Sequence, residues 1–318
     1  MASYNHEAFV REALESVLIQ EIPGMEIIVI DDGSSDSTPE EIKSLKDSRI
    51  NFVGLKENRR FHPRNMALSM ARGKYIAFQN SDDVWKKGKL AKQLEKMEND
   101  EKLSVCFTAV EPINESGETM YWSWLRGIFS TENMGSGRWL RRFFDRGNCL
   151  CISSAVVRRD LLQRAGNFCP SLINLGDFDL WVRLAALGGF HIIDEKLTRM
   201  RICGNKNLSA PTPDNVRRTK NEKLQVLHRY LEAPVFERVG EIFSDIIPPG
   251  NKSDISVLGN LAFYAWRLSP IHAGFGNMII EKILVDEKKR EAMVETFGTK
   301  IIKEYIQQKG KLELIRQS

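Results

Sequence analysis

The sequence predicts an α/β fold: a mainly parallel central sheet flanked by helices, followed by a helical C-terminal appendage. Three observations lead to this prediction. Short runs rich in β-branched residues alternate with amphipathic segments as far as Pro211, and such alternation is typical of parallel sheets with right-handed crossovers. Acidic or amide side chains directly follow several of the apolar runs. Beyond Pro211 and Pro213 the strand pattern stops, and the apolar residues recur at helical spacing.

The first third of the chain contains the most regular alternation. Residues 1–5 look like the tail end of a strand whose body is missing, and Asn5 can cap a helix over residues 6–20. The run Glu-Ile-Ile-Val-Ile at 26–30 predicts a buried strand. Thr38-Pro39-Glu40-Glu41 predicts a helix start, because it combines a capping box with proline at the first helical position. Further predicted elements are a strand at 50–55, a helix at 64–71 and a strand at 75–78.

The rest of the chain divides near Pro213. Up to that proline we predict helices at 87–97, 159–165 and 177–187, and strands at 103–108, 150–157 and 197–202. Beyond it we predict helices at 216–231, 255–268 and 289–308. We therefore expect one α/β domain over residues 1–213, with halves at 1–110 and 111–213, and a helical region over 214–318.

Composition excludes several classes of protein. The 318 residues are 42% hydrophobic and 28% charged, which is ordinary for a soluble globular protein. A net charge of +4 suits an anionic substrate or loose contact with an anionic membrane face, and the basic stripe of a nucleic-acid-binding protein is absent. Five scattered cysteines favour reduced thiols in the cytoplasm over a disulfide framework or a zinc site. No signal peptide is visible, and no apolar run reaches the roughly 18 residues of a membrane span.

The stretch from Lys74 to Trp85 holds the main chemical signal. A short apolar run ends there in two adjacent carboxylates, Asp82 and Asp83, preceded by Asn80 and Ser81. Ligands of open α/β sheets bind beyond the carboxyl ends of the strands. Two acids with an amide and a hydroxyl form a cluster of hard oxygen ligands, which suits Mg²⁺ or Mn²⁺ carrying a diphosphate. The alternative is a solvated turn or a helix cap.

Seven motifs, in order, resemble those of the family 2 glycosyltransferases, which have a GT-A-type fold. They are Ser-Tyr-Asn at 3–5, Val-Ile-Asp-Asp-Gly-Ser-Ser-Asp at 29–36, Arg-Asn at 64–65, Ala-Arg-Gly-Lys-Tyr-Ile-Ala-Phe at 71–78, Asn-Ser-Asp-Asp at 80–83, Gly-Asp-Phe-Asp-Leu-Trp-Val-Arg-Leu at 176–184 and Arg-Ile-Cys-Gly-Asn-Lys-Asn-Leu-Ser at 201–209. Each motif is weak alone, but their order and spacing are specific. The resemblance covers residues 3–210.

The resemblance implies roles for individual residues. The nucleotide-sugar donor would be bound by the half at 1–110, through Tyr4, Asp31, Asp32, Arg64, Asn80 and Ser81. The metal would be held by Asp82, with Asp83 as its partner, and it would neutralise the leaving diphosphate. The half at 111–213 would face the acceptor, with Trp122, Trp124, Asp179 and Trp181 on that side. The alternatives are ordinary turn chemistry for Asp31 and Asp32, a surface position for Arg64, and core packing or membrane contact for the aromatic side chains.

The resemblance also implies the reaction: transfer of a sugar with inversion to a hydroxyl on a glycan or lipid-linked acceptor, in the synthesis of a bacterial surface polysaccharide. Such a reaction needs one base on the acceptor side. Asp177 and Asp179 both begin a predicted helix, and residues two apart do not share a helix face. The family's motif places the base at the first of them, Asp177, while capping is the alternative role for both. We expect a cytoplasmic enzyme, with peripheral attachment to the inner face of the membrane as an option.

The sequence departs from the family at three places. Asn80 replaces the usual first acid of the metal motif, and Cys203 stands where many members have histidine. Of the expected first strand, only the last residues precede Ser-Tyr-Asn. The serious alternative is therefore a catalytically weak or inactive sugar-nucleotide-binding module. A nicotinamide-dependent enzyme would need a Gly-x-Gly-x-x-Gly turn after its first strand, and a nucleotidyltransferase an N-terminal glycine-rich loop; neither is present.

Overall fold

The computed structural model describes residues 1–59, 63–121, 129, 132–204, 210–248 and 253–311. Its strands and helices have the α/β organisation that the sequence predicts, with a helical C-terminal region. The chain forms two units: unit 1 contains Met1–Ser136 and Gly147–Asn215, and unit 2 contains Gly137–Arg146 and Val216–Ser318. A short segment from within the predicted first domain therefore belongs with the C-terminal helices.

Unit 1 contains two sheets. Three strands, β1 (Ala2–Ser3), β2 (Ile27–Asp31) and β3 (Ile50–Gly54), form a parallel sheet in that order. The second sheet has the order β4-β7-β6-β8-β5, with β4 (Tyr75–Ala77), β5 (Val84–Trp85), β6 (Leu103–Ile113), β7 (Val156–Arg158) and β8 (Gly189–Arg201). In this sheet β6 and β8 pair in parallel and the other neighbours are antiparallel. The larger sheet is therefore mixed.

The helices of unit 1 cover these sheets. They are α1 (Val10–Leu18), α2 (Thr38–Ser44), α3 (Pro63–Met70), α4 (Lys89–Asn99), α6 (Arg159–Ala165) and α7 (Gly176–Leu187), while α5 (Ser136–Arg146) enters unit 2. The apolar face of α1, at Val10, Leu14 and Val17, packs into one cluster with Val29 of β2 and Trp85 of β5. This packing follows from the helical period, because residues three and four apart share one face.

The first residues of the chain join the two sheets. Ala2 and Ser3 pair with Ile30 and Asp31 of β2, and Ala2 also bridges to Asn80 beyond β4. The amino group of Met1 donates a hydrogen bond of 2.7 Å to the Ile28 carbonyl, and burial lowers its pKa to about 5. Beside Met1 lies a largely apolar cavity of about 320 Å³. Its lining includes Ile27 and Ile28 of β2 and Tyr75, Ile76 and Ala77 of β4.

Several element boundaries differ from those that the sequence predicts. Strands β6 and β8 have 11 and 13 residues, because they pair along almost their whole length. The predicted strand at 150–157 contains a 3₁₀ turn over Ile152–Ser154 before β7. The predicted helix at 289–308 is two helices, since Gly298 between them has a φ of +66°.

Unit 2 is entirely helical in its described residues. It contains α5, most of α8 (Pro213–His228), α9 (Val239–Ile242), α10 (Asp254–Ala265), α11 (Pro270–Leu284), α12 (Glu287–Phe297) and α13 (Lys300–Lys311). Phe144 of α5 is fully buried, and its ring lies 5.0 Å from those of Tyr230 and Phe243 and 5.8 Å from that of Phe275. None of the helices seen in the described residues is both long enough and apolar enough to cross a membrane.

Lys89, the first residue of α4, is an ionisable group in the core of unit 1. Its side chain is fully buried, donates a 2.8 Å hydrogen bond to Gln93 Oε1 and lies 4.1 Å from the ring centroid of Trp85. Burial lowers the pKa of Lys89 to about 7, because the ammonium form loses its hydration in the core.

This burial makes stability depend on pH. Between pH 7 and 10.5 the unfolded lysine keeps a proton that the folded side chain has lost, so Lys89 should add about 1.4 kcal/mol per pH unit to the slope of the free energy of unfolding. In Lys89→Met this contribution should disappear, and the slope should be lower than that of the wild type by the same amount. Urea denaturation at pH 8, 9 and 10 measures it, and Lys87→Met, which alters an exposed lysine, should keep the wild-type slope. An equal slope in wild type and Lys89→Met would contradict the assignment.

Candidate functional site

The connection between β4 and β5 is held by the carboxylate of Asp83, which is 1% exposed. Its Oδ1 accepts a 2.9 Å hydrogen bond from the backbone N–H of Arg201. Its Oδ2 accepts hydrogen bonds from Ser153 Oγ at 2.5 Å and from Asn80 Nδ2 at 3.2 Å. Burial and the neighbouring Asp82 raise the pKa of Asp83 to about 7. Protein donors therefore occupy both oxygens of Asp83.

The carboxylate of Asp82 is in a different position. It is half-buried, and among the described residues the donor to it is its own backbone N–H. Burial raises its pKa, and the charges of Arg201 and Arg64 oppose this. Of the two adjacent acids, Asp82 is thus the one with oxygen atoms left to bind an external group.

The residues present suit a divalent cation that is bound together with phosphate. The described part of the chain contains no group of three or more His, Cys, Asp or Glu side chains placed to hold a metal. Magnesium and manganese sites often use one or two carboxylates and complete their coordination with water and substrate phosphates. Asp82 can supply such a carboxylate. Cys203 is buried, and a thiol is a soft ligand that these ions avoid.

Arg201, at the end of β8, also holds the acidic loop through its side chain. Its Nε donates to the Asp82 carbonyl at 2.9 Å, and its Nη1 donates to the carbonyls of Asn114 and Glu115 at 3.0 and 2.8 Å. Its Nη2 lies 2.6 Å from Glu12 of α1. One buried guanidinium therefore connects the loop to β6 and α1.

The acids that end β2 form a second part of the site. Asp31 accepts hydrogen bonds from Ser34 N at 2.9 Å, Ser34 Oγ at 2.6 Å and Ser3 Oγ at 3.0 Å, which closes the turn. Asp32 accepts a 2.8 Å hydrogen bond from the backbone of Arg59. Gly33 permits this approach, because its φ is +74° and a Cβ there would lie 2.6 Å from the backbone of Glu57. Tyr4, in the neighbouring loop, is exposed.

Arg64 of α3 places a positive charge among the acids. Its Nη2 donates to Asn80 Oδ1 at 3.0 Å, and its guanidinium lies 5.7 Å from the ring centroid of Phe168. Burial lowers its pKa, and the charges of Asp177, Asp82 and Asp83 oppose this. The charges of Asp82 and Asp177 both act on the pKa of Arg64. These two predicted site residues therefore share one electrostatic environment.

Asp177 lies in the first turn of α7. Its Oδ1 accepts a 2.7 Å hydrogen bond from Phe178 N, and its Oδ2 accepts a 3.2 Å hydrogen bond from Asn148 Nδ2. Burial raises the pKa of Asp177, against the effects of the Phe178 N–H, Arg64 and Asn148. A carboxylate with a raised pKa can take a proton more readily than one in water.

Two of the acceptor-side expectations are corrected by the structure. Asp179 is fully buried in an ion pair with Arg183, at 2.6 Å. Trp181 is also fully buried, with its ring 5.1 Å from that of Phe107 and 6.4 Å from that of Phe78. Neither side chain can reach an acceptor, because both are used inside unit 1. Trp122 and Trp124 lie outside the described residues, and the neighbouring Tyr121 is 86% exposed.

Four residues of the site were not identified from the sequence. Three of them donate hydrogen bonds to the acids: Ser153 and Arg201 to Asp83, and Asn148 to Asp177. The fourth is His6, whose Nδ1 lies 2.7 Å from Oγ of the buried Ser81. Arg201 opens one of the motifs quoted above and His6 follows another, so position could have drawn attention to them. Ser153 and Asn148 carry no such signal.

Comparison with known proteins agrees with this geometry. The model of the family described as "Glycosyl transferase family 2" matches residues 1–164. An uncharacterized glycosyltransferase of Rickettsia felis is 34% identical over 208 residues, which are 64% of this chain and 32% of that protein. A protein of Escherichia coli named UDP-Glc:alpha-D-GlcNAc-diphosphoundecaprenol beta-1,3-glucosyltransferase is 39% identical over 194 residues, 59% of this chain and 69% of that protein.

The fold has solved counterparts. The mannosyltransferase of Pyrobaculum calidifontis in complex with GDP-Man and Mn²⁺ superposes with a TM-score of 0.52 and 18% identity, over 98% of this chain and 86% of that chain. Some relatives are longer, so that this chain spans about a third of their length. The family match extends over more than half of the 318 residues and includes the turn after β2, Arg64 and the acidic loop. The chain therefore belongs to glycosyltransferase family 2.

Proposed function

We propose that this protein transfers a sugar from a nucleotide-diphosphate donor to a hydroxyl acceptor, with inversion at the anomeric carbon. The observation that supports this most directly is the position of Arg64. Its guanidinium donates a 3.0 Å hydrogen bond to Asn80, and the charges of Asp177 and Asp82 both raise its pKa. The site thus combines a cation for phosphate, an acid free to hold a metal and a separate acid free to take a proton.

On the donor side, the acids after β2 and the loop before β5 would bind the nucleotide and diphosphate. Asp32 can accept hydrogen bonds from base or ribose, and the Arg64 fork suits phosphate oxygens. Asp82 would hold Mg²⁺ or Mn²⁺, which when bound would neutralise charge on the leaving diphosphate. Asp83 would keep Asp82 in place, because its own oxygens are bonded to Ser153, Asn80 and Arg201.

On the acceptor side, Asp177 would act as the base. The acceptor oxygen forms a bond to the anomeric carbon, its proton moves to Asp177, and the bond from that carbon to the phosphate oxygen breaks. The electron pair of that bond leaves with the nucleoside diphosphate. Attack from the face opposite the leaving group inverts the anomeric centre.

Three further points extend the proposal to partners and location. The E. coli relative is named for a UDP-glucose donor and a diphosphoundecaprenol-linked acceptor, and we propose an acceptor of the same class, a glycan or a lipid-linked precursor of a bacterial surface polysaccharide. All five cysteines lie in the described part of the chain as thiols, which suits the reducing cytoplasm. We propose that the enzyme works there, in peripheral contact with the membrane that carries its acceptor.

The metal assignment is tested by Asp82→Ala. Turnover should fall below detection, and binding of UDP or GDP should lose its dependence on Mn²⁺, because the free carboxylate is gone while Asp83 keeps the loop folded. Transfer and hydrolysis are measured with a panel of UDP- and GDP-sugars, and binding is measured by calorimetry with and without Mn²⁺. Asp194→Ala, which removes an exposed acid, should behave as wild type.

Normal activity of Asp82→Ala in the presence of a chelator would refute the role of Asp82 as a metal ligand. Donor binding without turnover in the wild type would favour the inactive binding module.

The base is tested by Asp177→Asn. Because the base contacts the acceptor and not the nucleotide, kcat should fall by about a thousandfold while donor affinity changes less than about twofold. Asp179→Asn should instead lower the melting temperature, since it weakens a buried ion pair. If Asp177→Asn turns over normally and Asp179→Asn is inactive though folded, the base has been assigned to the wrong acid.

A further inference from the structure

Asn148 contacts the oxygen of Asp177 that does not accept from Phe178. Its Nδ2 donates to Asp177 Oδ2 at 3.2 Å, while Asp177 Oδ1 accepts from the backbone of Phe178. The contact joins residues 29 positions apart in the sequence. Through this contact a side chain donates a hydrogen bond to Asp177, the proposed base.

The orientation of the Asn148 amide follows from its second partner. Asn148 Oδ1 accepts a 3.0 Å hydrogen bond from the backbone N–H of Leu150. A backbone N–H requires an acceptor, so the oxygen of the amide faces Leu150 and the NH₂ group faces Asp177. The reversed amide would direct its oxygen at a carboxylate and its NH₂ at an N–H. One hydrogen bond therefore sets the direction of the other.

The turn before Asn148 gives this arrangement its backbone. Gly147 has a φ of +87°, in the left-handed region, and a Cβ there would meet no atom within 4 Å. Its conformational freedom, and not a close approach, accounts for glycine at this position. The chain leaves α5 at Arg146 and reaches Asn148 through this single residue.

Other charged or titratable groups also act on Asp177. The charge of Arg64 in α3 favours the ionised form of Asp177. The charge of Asp177 in turn raises the pKa of the buried Cys151 thiol. Asp179, on the same helix, is already paired with Arg183. Arg64 also interacts with Asn80, Asp82 and Asp83 on the donor side, so it cannot serve Asp177 alone. Within the described residues the Asn148 side chain contacts Asp177 and Leu150 and none of the donor-side acids, so we expect its effect to be confined to the base.

We propose that Asn148 is the positioning residue of the catalytic base: its amide, held by Leu150, orients the Asp177 carboxylate toward the acceptor. This inference rests on the proposed function. Asn148 acts through Asp177 and not on the substrate, so its loss should change kcat and the pH dependence of turnover, and leave donor binding as it is.

The test uses two substitutions in the full chain. Asn148→Ala removes the donor to Asp177, and kcat should fall about 10- to 100-fold, the effect of losing a hydrogen bond to a charged group. The donor KM should change less than about twofold. The acid limb of the pH profile of kcat should move to higher pH, because the ionised carboxylate has lost a stabilising donor.

Asn148→Asp has almost the same shape and can still accept from Leu150, but it sets a second carboxylate against Asp177. Its acid limb should move further than that of Asn148→Ala, since two close carboxylates resist ionising together. Asn277→Ala is the matched control: Asn277 accepts a 2.9 Å hydrogen bond from Trp266 within unit 2. It should lower the melting temperature and leave the pH profile of kcat unchanged.

The outcomes separate this inference from the function on which it rests. If wild type transfers sugar but both Asn148 variants keep the wild-type acid limb, losing activity only in step with the folded fraction, Asn148 is structural and the inference is wrong. If donor KM rises as much as kcat falls, Asn148 contacts the donor and the inference is again wrong. If the wild type transfers no sugar from any donor, the proposed function fails first, and the role of Asn148 fails with it.

Discussion

The site depends on the burial of one carboxylate, that of Asp83. A buried charge without partners is strongly destabilising, and here three donors from three parts of the chain supply partners. Ser153 comes from the turn before β7, Arg201 from the end of β8, and Asn80 from the loop itself. Because each donor belongs to a different segment, each hydrogen bond ties its own segment to the loop. Asp82 then extends from a loop that is held on both sides.

The same division of labour recurs at α7. Asp179 is bound in an ion pair with Arg183, whose guanidinium also donates to the carbonyls of Gly166 and Asn167. Asp177 has no ion pair of this kind among the described residues and accepts hydrogen bonds from Phe178 and Asn148. A protein that needs a reactive acid at a fixed place can obtain it by placing a fully bonded acid next to it in the sequence. In both pairs the acid with the stronger set of protein partners is almost entirely buried and the other acid is half-buried.

Local signals in the sequence were enough for the α/β class and for several helix starts, but not for α5, α9 or α11, which were not predicted. Thr38-Pro39-Glu40-Glu41 does begin a helix, and the apolar run at 75–78 does lead into the acidic loop. The partners of the acids could not be found in this way. Ser153 lies 70 positions from Asp83 and Arg201 lies 118 positions from it, and no local pattern encodes such pairs. The lengths of β6 and β8 were underestimated for the same reason, since their pairing with each other extends them. The burial of Trp181 is likewise set by distant neighbours, whereas the ion pair of Asp179 with Arg183 spans one helical turn, a spacing that is visible in the sequence.

The assignment of α5 to unit 2 has a consequence for how this family can vary. The chain passes between the units three times, at 136/137, 146/147 and 215/216. The buried face of α5 includes Trp139, Leu140, Phe143 and Phe144, and Phe144 packs on rings from residues beyond 216. A recombination event at residue 215 would exchange the C-terminal helices and leave α5 with the wrong partners. The helical region therefore cannot be inherited as a simple C-terminal cassette, and substitutions in residues 137–146 should co-evolve with those in the C-terminal helices.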